Sequence, residues 1–420
     1  MNTPTSIQTA TVDRAIFAKT LAQAIKACER KTSNPILTHA LVEVDGQTLS
    51  LTCTDMDIWI TATCPAVVSA PFVCTLDAYN LNDLVKKAKN VTDLVLTVEH
   101  APRDLTPAET DAYGAGTVKA KPGDNGTITV GLGALKTGML SFPPFDFPRS
   151  RKASGESHAF SIATAVLFPA LSKCLSASST EETRYYLNGV YWHSVGSDLA
   201  PMVATDGHRL IKVDIAQPKA NPTADYFLNG GMIIPNKTVK ILTGAGFLKG
   251  RDAVEIVDIV WSNEQIVFRL SAAVTLITKV IDDGFPDYAR VIPAEDRAKH
   301  FLTFNRESML AAVSQVATIC PRGGSAILLR PVNGRRIDVS ANYEGQSMET
   351  VVAADLLCTI EGEDTPVDIS VNCRHLAEIL SQFDGDTVTI AYEDASSPML
   401  ITSNSTSDLD TVAVLMPMRV

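Results

Sequence analysis

The residues best suited to chemistry lie in one short motif, Ala204-Thr205-Asp206-Gly207-His208-Arg209-Leu210. An aspartate and a histidine, joined by a serine such as Ser194, are the residue types of a hydrolytic triad. The Gly-x-Ser-x-Gly elbow of many hydrolases does not accompany them, and Asp-Gly is a common turn-forming pair. The motif therefore favours a turn, and a hydrolase is only the weaker alternative.

Metal binding is also weakly supported. His193 and His208 could ligate zinc, but no third ligand follows at a suitable spacing. The eight cysteines are scattered and form no Cys-x-x-Cys pair. Such cysteines are typical of small buried residues in a reducing cytoplasm. We therefore predict no metal, no disulfide framework and no cofactor.

The composition is that of an ordinary folded protein. The chain has 420 residues, 45% of them hydrophobic and 20% charged, and this length predicts two to four domains. No apolar run approaches the ~18 residues of a membrane span. The first residues lack a basic region followed by an apolar core, so no secretory signal is expected. These features predict a cytoplasmic location.

The distribution of charge carries more information than its sum. A net charge of −11 argues against a nucleic-acid partner. However, the six predicted helical segments together carry +11, so the rest of the chain carries −22. Helices lining one surface would make that surface attract phosphate. Alternatively, lysine and arginine are simply good helix formers on solvated faces.

Because no aromatic residues interleave with the basic ones, backbone contact fits better than base readout. From charge alone, the candidate phosphate contacts are Lys86, Lys87, Lys237, Lys240 and Arg251.

These residues must be positioned by a pattern that occurs three times. An apolar strand, a polar residue, a short helix and a second strand recur within residues 72–98, 232–257 and 367–390. A strand, a helix and a hairpin precede each copy, so each third consists of two β-α-β-β-β halves. Proline-containing stretches at Phe147-Pro148 and Phe285-Pro286 favour linkers. We predict domains over residues 1–152, 153–293 and 294–420.

Several details of this scheme are explicit expectations. The first helix is predicted over about residues 13–31, and the first helix of the second domain up to about Ala177. Pro169 falls inside that second helix, where proline costs about 3 kcal/mol and kinks the helix. A strand is expected to begin at Asp252. Residues 101–125, rich in proline and glycine, are interpreted as an insertion loop.

Three motifs carry a resemblance to a known family: Arg184-Tyr185-Tyr186-Leu187-Asn188-Gly189, Ala204 to Leu210, and Met416-Pro417-Met418-Arg419-Val420. Together they resemble the bacterial β sliding clamps, the processivity subunits of DNA polymerase III. Asn34-Pro35-Ile36-Leu37 and Phe285-Pro286-Asp287-Tyr288 extend the similarity to nearly the whole chain.

The resemblance implies an α+β fold with three similar clamp domains. Sheets would lie outside and helices would line a central pore, in a ring-shaped homodimer around double-stranded DNA. It implies a protein without a catalytic site of its own, which tethers the replicative polymerase for processive synthesis. Implied partners are DNA polymerase III, the clamp-loader complex, and other polymerases and repair proteins with clamp-binding peptides.

The resemblance also implies a peptide-binding cleft between the second and third domains. By position, its residues are Leu187, Thr205, Gly207, His208, Arg209, Leu210, Pro286, Val291, Val414, Met416, Pro417, Met418, Arg419 and Val420. Flexible methionines in apolar walls can accept several related peptides, and Arg209 and Arg419 could hold polar peptide groups. Alternatively, the two methionines belong to an ordinary last strand that completes a core.

Further positions follow from the same motifs. Implied DNA contacts are Lys31, Arg184, Tyr185 and Tyr186, and implied dimer-interface residues are Met139, Thr318 and Ile319. Val420 is smaller than the leucine common in relatives, so the cleft floor is expected to differ. A peptide-binding scaffold without clamp activity remains the alternative to a clamp.

Overall fold

The computed structural model describes residues 7–98, 127–151, 157–196, 198–218, 230–250, 253–321, 323–360, 365–404 and 409–418. The chain divides into two compact units. Unit 1 comprises Met1–Ser161 and Ala245–Lys279, and unit 2 comprises Ile162–Gly244 and Val280–Val420. The predicted insertion over residues 101–125 lies outside the described residues.

Six α-helices occur in this described part: α1 (Arg14–Ala24), α2 (Ala78–Lys87), α3 (Thr164–Leu175), α4 (Asn236–Thr243), α5 (Arg306–Val316) and α6 (Cys373–Leu380). Four of them begin in the same way, because a side chain just before the helix accepts a backbone N–H of the first turn. These capping residues are Asp13, Asp77, Asn305 and Asn372.

The strands of the described residues are β1 (Gln8–Asp13), β2 (His39–Asp45), β3 (Thr48–Thr54), β4 (Ile58–Pro65), β5 (Val67–Val68), β6 (Phe72–Asp77), β7 (Asp93–Val98), β8 (Thr127–Leu132), β9 (Leu135–Leu140), β10 (His158–Ala163), β11 (Gly189–Trp192), β12 (Met202–Thr205), β13 (Arg209–Asp214), β14 (Met232–Pro235), β15 (Ile256–Trp261), β16 (Gln265–Ser271), β17 (Val274–Lys279), β18 (His300–Asn305), β19 (Ala326–Val332), β20 (Arg336–Tyr343), β21 (Gln346–Cys358), β22 (Ile369–Asn372), β23 (Thr387–Tyr392), β24 (Met399–Ser403) and β25 (Asp410–Leu415).

The predicted sixfold repeat is confirmed. Each half is a strand, a helix and three further strands, from β1-α1-β2-β3-β4 at the start to β22-α6-β23-β24-β25 at the end. The helices of each third pack in pairs: α1 against α2, α3 against α4, and α5 against α6. Strands such as β3 and β8 bury one face, as their alternating burial shows.

Unit 1 contains two sheets. One has the order β5-β1-β7-β8-β9, and the other has the order β15-β16-β17-β4-β3-β2-β6 with β10 at its edge. β4 and β17 pair antiparallel, with Trp59 opposite Ile277. We call this pairing, together with the turn that precedes β4, the first junction, because it joins a strand of the first third to a strand of the second.

Unit 2 is built on one twelve-stranded sheet with the order β14-β11-β12-β13-β25-β24-β23-β18-β21-β20-β19-β22. β13 and β25 pair antiparallel, with Leu210 opposite Val414. We call this pairing, with the turn before β13, the second junction. It has the same place in the repeat as the first junction. In both, the last strand in the first half of one third pairs with the last strand in the second half of the next third.

Two local expectations were wrong. α1 ends at Ala24 and a 3-10 turn ends at Ala27, well before Lys31, because Cys28 is extended and the Glu29 N–H donates to the Leu37 carbonyl. By contrast, α3 ends at Leu175, close to its predicted end near Ala177. β15 begins at Ile256 rather than Asp252, since the Ala253 N–H donates to the Gly250 carbonyl instead of to a neighbouring strand.

Pro169 does not interrupt its helix. α3 runs continuously from Thr164 to Leu175. Proline removes one helical N–H, whose acceptor would be the carbonyl of Ala165. Ala165 is itself exposed in the first turn, where water can satisfy that carbonyl. The proline is therefore tolerated at this position.

Candidate functional site

The Thr205–Arg209 turn is fixed by its own side chains. The Asp206 carboxylate accepts hydrogen bonds from the backbone N–H of His208 (2.8 Å) and of Arg209 (3.0 Å). The Thr205 hydroxyl donates to the Arg209 carbonyl (2.6 Å) and accepts from the Gly207 N–H (3.1 Å). Asp206 is thus used as a turn-forming residue, which is the interpretation that the sequence favoured over a triad.

Gly207 is required by both its conformation and its surroundings. Its φ of +88° lies in the left-handed region, where a side chain is disfavoured. A Cβ at this position would also come within 2.6 Å of the Arg184 Nη1 atom. Arg184 pairs with Glu181 at 2.8 Å. The guanidinium of a predicted DNA contact therefore lies directly against the turn of the predicted cleft.

Arg209 stabilises the turn against the neighbouring helix α6. Its side chain is only 9% exposed, and it contacts Asp206 through Nε (3.1 Å) and Glu378 through Nη1 (2.5 Å). Glu378 also accepts from Arg374 (2.8 Å). Burial raises the pKa of Glu378, but the hydrogen bonds from Arg374 and Arg209 outweigh it, so the pKa lies below its usual value. A peptide would therefore have to share Arg209 with two carboxylates.

The C-terminal strand completes this site by main-chain pairing. β25 runs beside β13 from Asp410 to Leu415, and the Met416 N–H continues the ladder to the His208 carbonyl at 2.9 Å. The Met418 N–H then donates to the Ser370 carbonyl at 2.8 Å. Both methionine side chains are exposed. The tail is therefore held by its backbone, while its side chains remain accessible.

An apolar cluster lies beneath the second junction. Val203, Leu210 and Val414 are buried, and Phe285, Tyr288 and Ile292 pack against them. The last three belong to the linker around Pro286. Tyr288 is further held by His193, whose Nε2 lies 2.9 Å from the tyrosine hydroxyl. The linker thereby forms one wall of the site.

A pocket of about 480 Å³ opens between this linker and the tail. Its apolar wall includes Val291, Ile292, Leu400 and Met416, while charged side chains at Arg290, Glu295, Arg297 and Glu393 lie at its border. Apolar pockets bordered by a few polar groups are typical ligand sites. This one is suited to an apolar side chain of an incoming ligand.

Comparison with known proteins agrees with this geometry. Models of the N-terminal, central and C-terminal domains of the DNA polymerase III beta subunit match residues 9–121, 161–287 and 289–419. The chain belongs to the DNA polymerase III beta subunit family. A beta sliding clamp from Caulobacter vibrioides is 31% identical over 418 residues, which cover 98% of this chain and 99% of the relative.

Solved sliding clamps have the same fold. A sliding clamp from Bartonella birtlesii, bound to griselimycin, superposes with a TM-score of 0.83 at 30% identity, covering 99% of this chain and all of the other. One from Caulobacter crescentus gives 0.80 at 30% identity, with 98% and 100% coverage. The predicted three-domain clamp fold is confirmed, as is the predicted function at the level of the family: a DNA sliding clamp that tethers the polymerase.

Most of the predicted cleft residues come together at the second junction. Val291 and Met416 line the pocket, Leu210 and Val414 belong to the apolar cluster, and the Thr205–Arg209 turn is joined to the tail by the bond from Met416 to His208. Leu187 is buried at the end of a 3-10 helix, and Pro286 is exposed in the linker. Pro417 lies between the two exposed methionines. Arg419 and Val420 lie outside the described residues. The roles of these residues stay predictions.

The predicted DNA contacts lie at helix ends and in loops. Lys86 and Lys87 end α2, Lys237 and Lys240 lie on α4, and all four are exposed. Lys31 is exposed in the loop after the 3-10 turn, Tyr185 is exposed and Tyr186 half-buried. Arg251 lies outside the described residues.

One helical lysine is removed from the basic surface. Lys173 is buried and binds Asp384 at 2.7 Å.

Sequence reasoning missed several residues of the site. Leu400 lies opposite Val414 in the ladder, and the apolar run Met399-Leu400-Ile401 could have indicated a buried strand there. His375 lies with its ring 6.2 Å from that of His208, and burial lowers its pKa. Nothing in the sequence alone connected α6 with the turn, because their contact depends on the pairing of β13 with β25.

Within the described ranges, no group of three or more His, Cys, Asp or Glu side chains could hold a metal ion. No helix there is long and apolar enough to cross a membrane. Six of the eight cysteines are buried.

Proposed function

We propose that two copies of this chain close head-to-tail into a ring, which encircles double-stranded DNA and carries DNA polymerase III along it. The proposal is carried by one observation. The chain contains the two junctions that join its successive thirds, and the strands that would form the next junction in a ring have unpaired edges among the described residues.

The unpaired edges belong to β9 and β21. β9 is the last strand of its third and the edge of the five-stranded sheet, as β17 and β25 would be without their junction partners. The first half of β21 pairs with β20 on one side only, whereas β4 and β13 have partners on both sides. Exposed Leu135, Leu140 and Val351 lie on these edges. Such edges invite pairing with another chain.

The two internal junctions also predict the register of the seam. Trp59 and Leu210 are each the first paired residue after a turn of four residues. Ser347 of β21 is likewise separated by four residues from its partner in β20. Val274 and Leu135 each follow a turn of two residues. Counted from these turns, Ile277 of β17 and Gly138 of β9 hold equivalent positions. Trp59 lies opposite Ile277. Ser347 of one copy is therefore expected opposite Gly138 of the other, and Glu349 opposite Lys136.

Opposite charges at facing positions stabilise a strand pair by about 0.2–1 kcal/mol, so Glu349 and Lys136 would favour this register. Thr318, a predicted interface residue, supports the same surface because its hydroxyl lies 3.6 Å from the Met348 sulfur of β21. Met139 lies on β9 itself, and Ile319 follows Thr318.

Charge reversal tests the seam. Lys136→Glu or Glu349→Lys alone should shift sedimentation toward monomer, and the double reversal should restore the dimer. A wild-type chain that sediments only as monomer at all concentrations would contradict the ring and favour a scaffold without clamp activity.

We further propose that the exposed lysines of the helix ends contact DNA phosphates through a solvated, sequence-independent interface. Replacing Lys86 and Lys87 by alanine should weaken binding equally for all sequences. The plot of log K against log salt should become shallower, its negative slope losing about 0.9 in magnitude for each phosphate that the variant no longer neutralises. Lys299→Ala, which removes an exposed lysine paired with Glu393 next to strand β18, is a suitable control and should leave the slope unchanged.

The pocket at the second junction would dock peptides of the polymerase, the clamp-loader complex and repair proteins, in the cytoplasm and without catalysis by the chain itself. Support comes from the exposed methionines beside an apolar pocket and from the griselimycin-bound relative. Calorimetry with griselimycin should give one binding site per subunit in the wild type and none after Met416→Glu. Undiminished binding by that variant would place the ligand elsewhere.

A further inference from the structure

The turn of the candidate cleft occurs a second time, in unit 1. The Asp55 carboxylate accepts from the backbone N–H of Asp57 (2.9 Å) and of Ile58 (2.6 Å), and the Thr54 hydroxyl accepts from the Met56 N–H (2.9 Å). Asp206 and Thr205 make the corresponding bonds at the second junction. The first junction is therefore a repeat-related copy of the site.

The strands that follow the two turns correspond residue by residue. The Lys279 N–H donates to the Asp57 carbonyl at 2.9 Å, just as the Met416 N–H donates to the His208 carbonyl at 2.9 Å. Further into each strand pair, Trp59 faces Ile277 and Leu210 faces Val414. Trp59 is thus the counterpart of Leu210, and Lys279 is the counterpart of Met416.

The two copies differ in what fills them. The Trp59 indole is 8% exposed, and its Nε1–H donates to the carbonyl of Pro148 in the linker at 2.8 Å. At the other junction the smaller Leu210 packs against linker residues, and a pocket lies between the linker and Met416. The indole therefore ties its linker to the sheet through a bond that leucine cannot make.

The two junctions also differ in the side chain that follows the strand pair, which is charged at the first junction and apolar at the second. Lys279 Nζ pairs with Asp57 at 3.0 Å and lies 5.9 Å from the centre of the Trp59 ring. The corresponding pair at the second junction is Met416 and His208. An apolar ligand side chain would have to displace both the indole and this ion pair to enter the first junction.

We propose that Trp59 confines ligand docking to the second junction by filling the repeat-related groove of the first. A buried aromatic side chain covers about 150–250 Å² of surface, and it denies that surface to a ligand. The inference rests on docking at the second junction, and it explains why a chain with two equivalent turns offers one docking site. Trp59 is a specificity-determining residue that acts by exclusion.

The test counts binding sites for griselimycin by calorimetry. The wild type should bind one equivalent per subunit, and Trp59→Leu combined with Lys279→Met should bind two. In a Met416→Glu background, which removes the original site, the same pair of substitutions should restore one equivalent. Trp59→Phe with Lys279→Met is the matched control, because a ring still fills the groove, and it should bind one.

Two results would overturn the inference. The first is a Trp59→Leu/Lys279→Met variant that unfolds cooperatively at the wild-type temperature and still binds one equivalent. The second is undiminished binding by Leu210→Trp, which transfers the indole to the second junction and decides the question if the first variant does not fold. Absence of binding to the wild type is a distinct result, because it would refute docking at the second junction itself.

Discussion

Glu378→Ala should loosen the second junction by a predictable amount. The substitution removes one carboxylate from Arg209, whose guanidinium is 9% exposed, and leaves it with Asp206 alone. A hydrogen bond to a charged group contributes about 1.5–3 kcal/mol. Because the Glu378 side chain is itself 32% exposed, solvent screening reduces this contribution, and we expect about 1–2 kcal/mol.

Hydrogen exchange at the Met416 amide reports this loss directly, since that N–H bonds to the His208 carbonyl of the turn that Arg209 stabilises. A loss of about 1–2 kcal/mol in the free energy of local opening should speed its exchange by about 5- to 30-fold. Arg374→Ala is the matched control. It removes the other, exposed partner of Glu378, and such pairs contribute only about 0.3–0.5 kcal/mol.

Equal exchange rates at Met416 in the two variants would refute the reasoning. They would mean that Arg209 is adequately held by Asp206 and that helix α6 does not stabilise the turn. A faster rate confined to α6, with Met416 unchanged, would lead to the same conclusion.

Three further predictions concern stability. Gly207→Ala should lower the urea midpoint more than Gly334→Ala, since both have a left-handed φ but only the first would place a Cβ against another side chain; equal midpoints would contradict this. Glu378 has a lowered pKa in the folded protein, so its contribution to the free energy of unfolding should be complete above its unfolded-state pKa of about 4.5 and lost as pH falls through the lower folded value. The stability difference between wild type and Glu378→Ala should therefore vanish in acid, and a difference that stays constant with pH would contradict this prediction. Lys173→Met should unfold within about 1 kcal/mol of the wild type, while Lys173→Ala should be less stable because it leaves a cavity in place of a buried side chain; equal losses would show that the charge itself is required.

The repeat could be predicted from the sequence because it is written in strand and helix periodicity. Polar residues before the helices, such as Asp77 and Asn372, mark their starts, and apolar alternation marks strands such as β3. The helix ends were less predictable. The extended backbone at Cys28 is stabilised by a bond from Glu29 to Leu37, which local propensity does not encode.

The site was predictable only in part, because its members come from distant segments. The Thr205–Leu210 turn and the Met416 tail stand out as motifs, but they meet through the β13–β25 ladder. The buried role of Arg209 depends on Glu378, which is 169 positions away in sequence. The same holds for Trp59, since its bond to Pro148 spans 89 positions. Only the register of the strands brings these groups together.

A closed ring of two chains would hold DNA topologically. The most direct measurement compares how long labelled protein, loaded by a clamp-loader complex, stays on nicked circular DNA and on the same DNA after linearisation. We predict retention on the circle and rapid loss from the linear molecule, with blocked DNA ends restoring retention. Equal loss from both forms would contradict the ring.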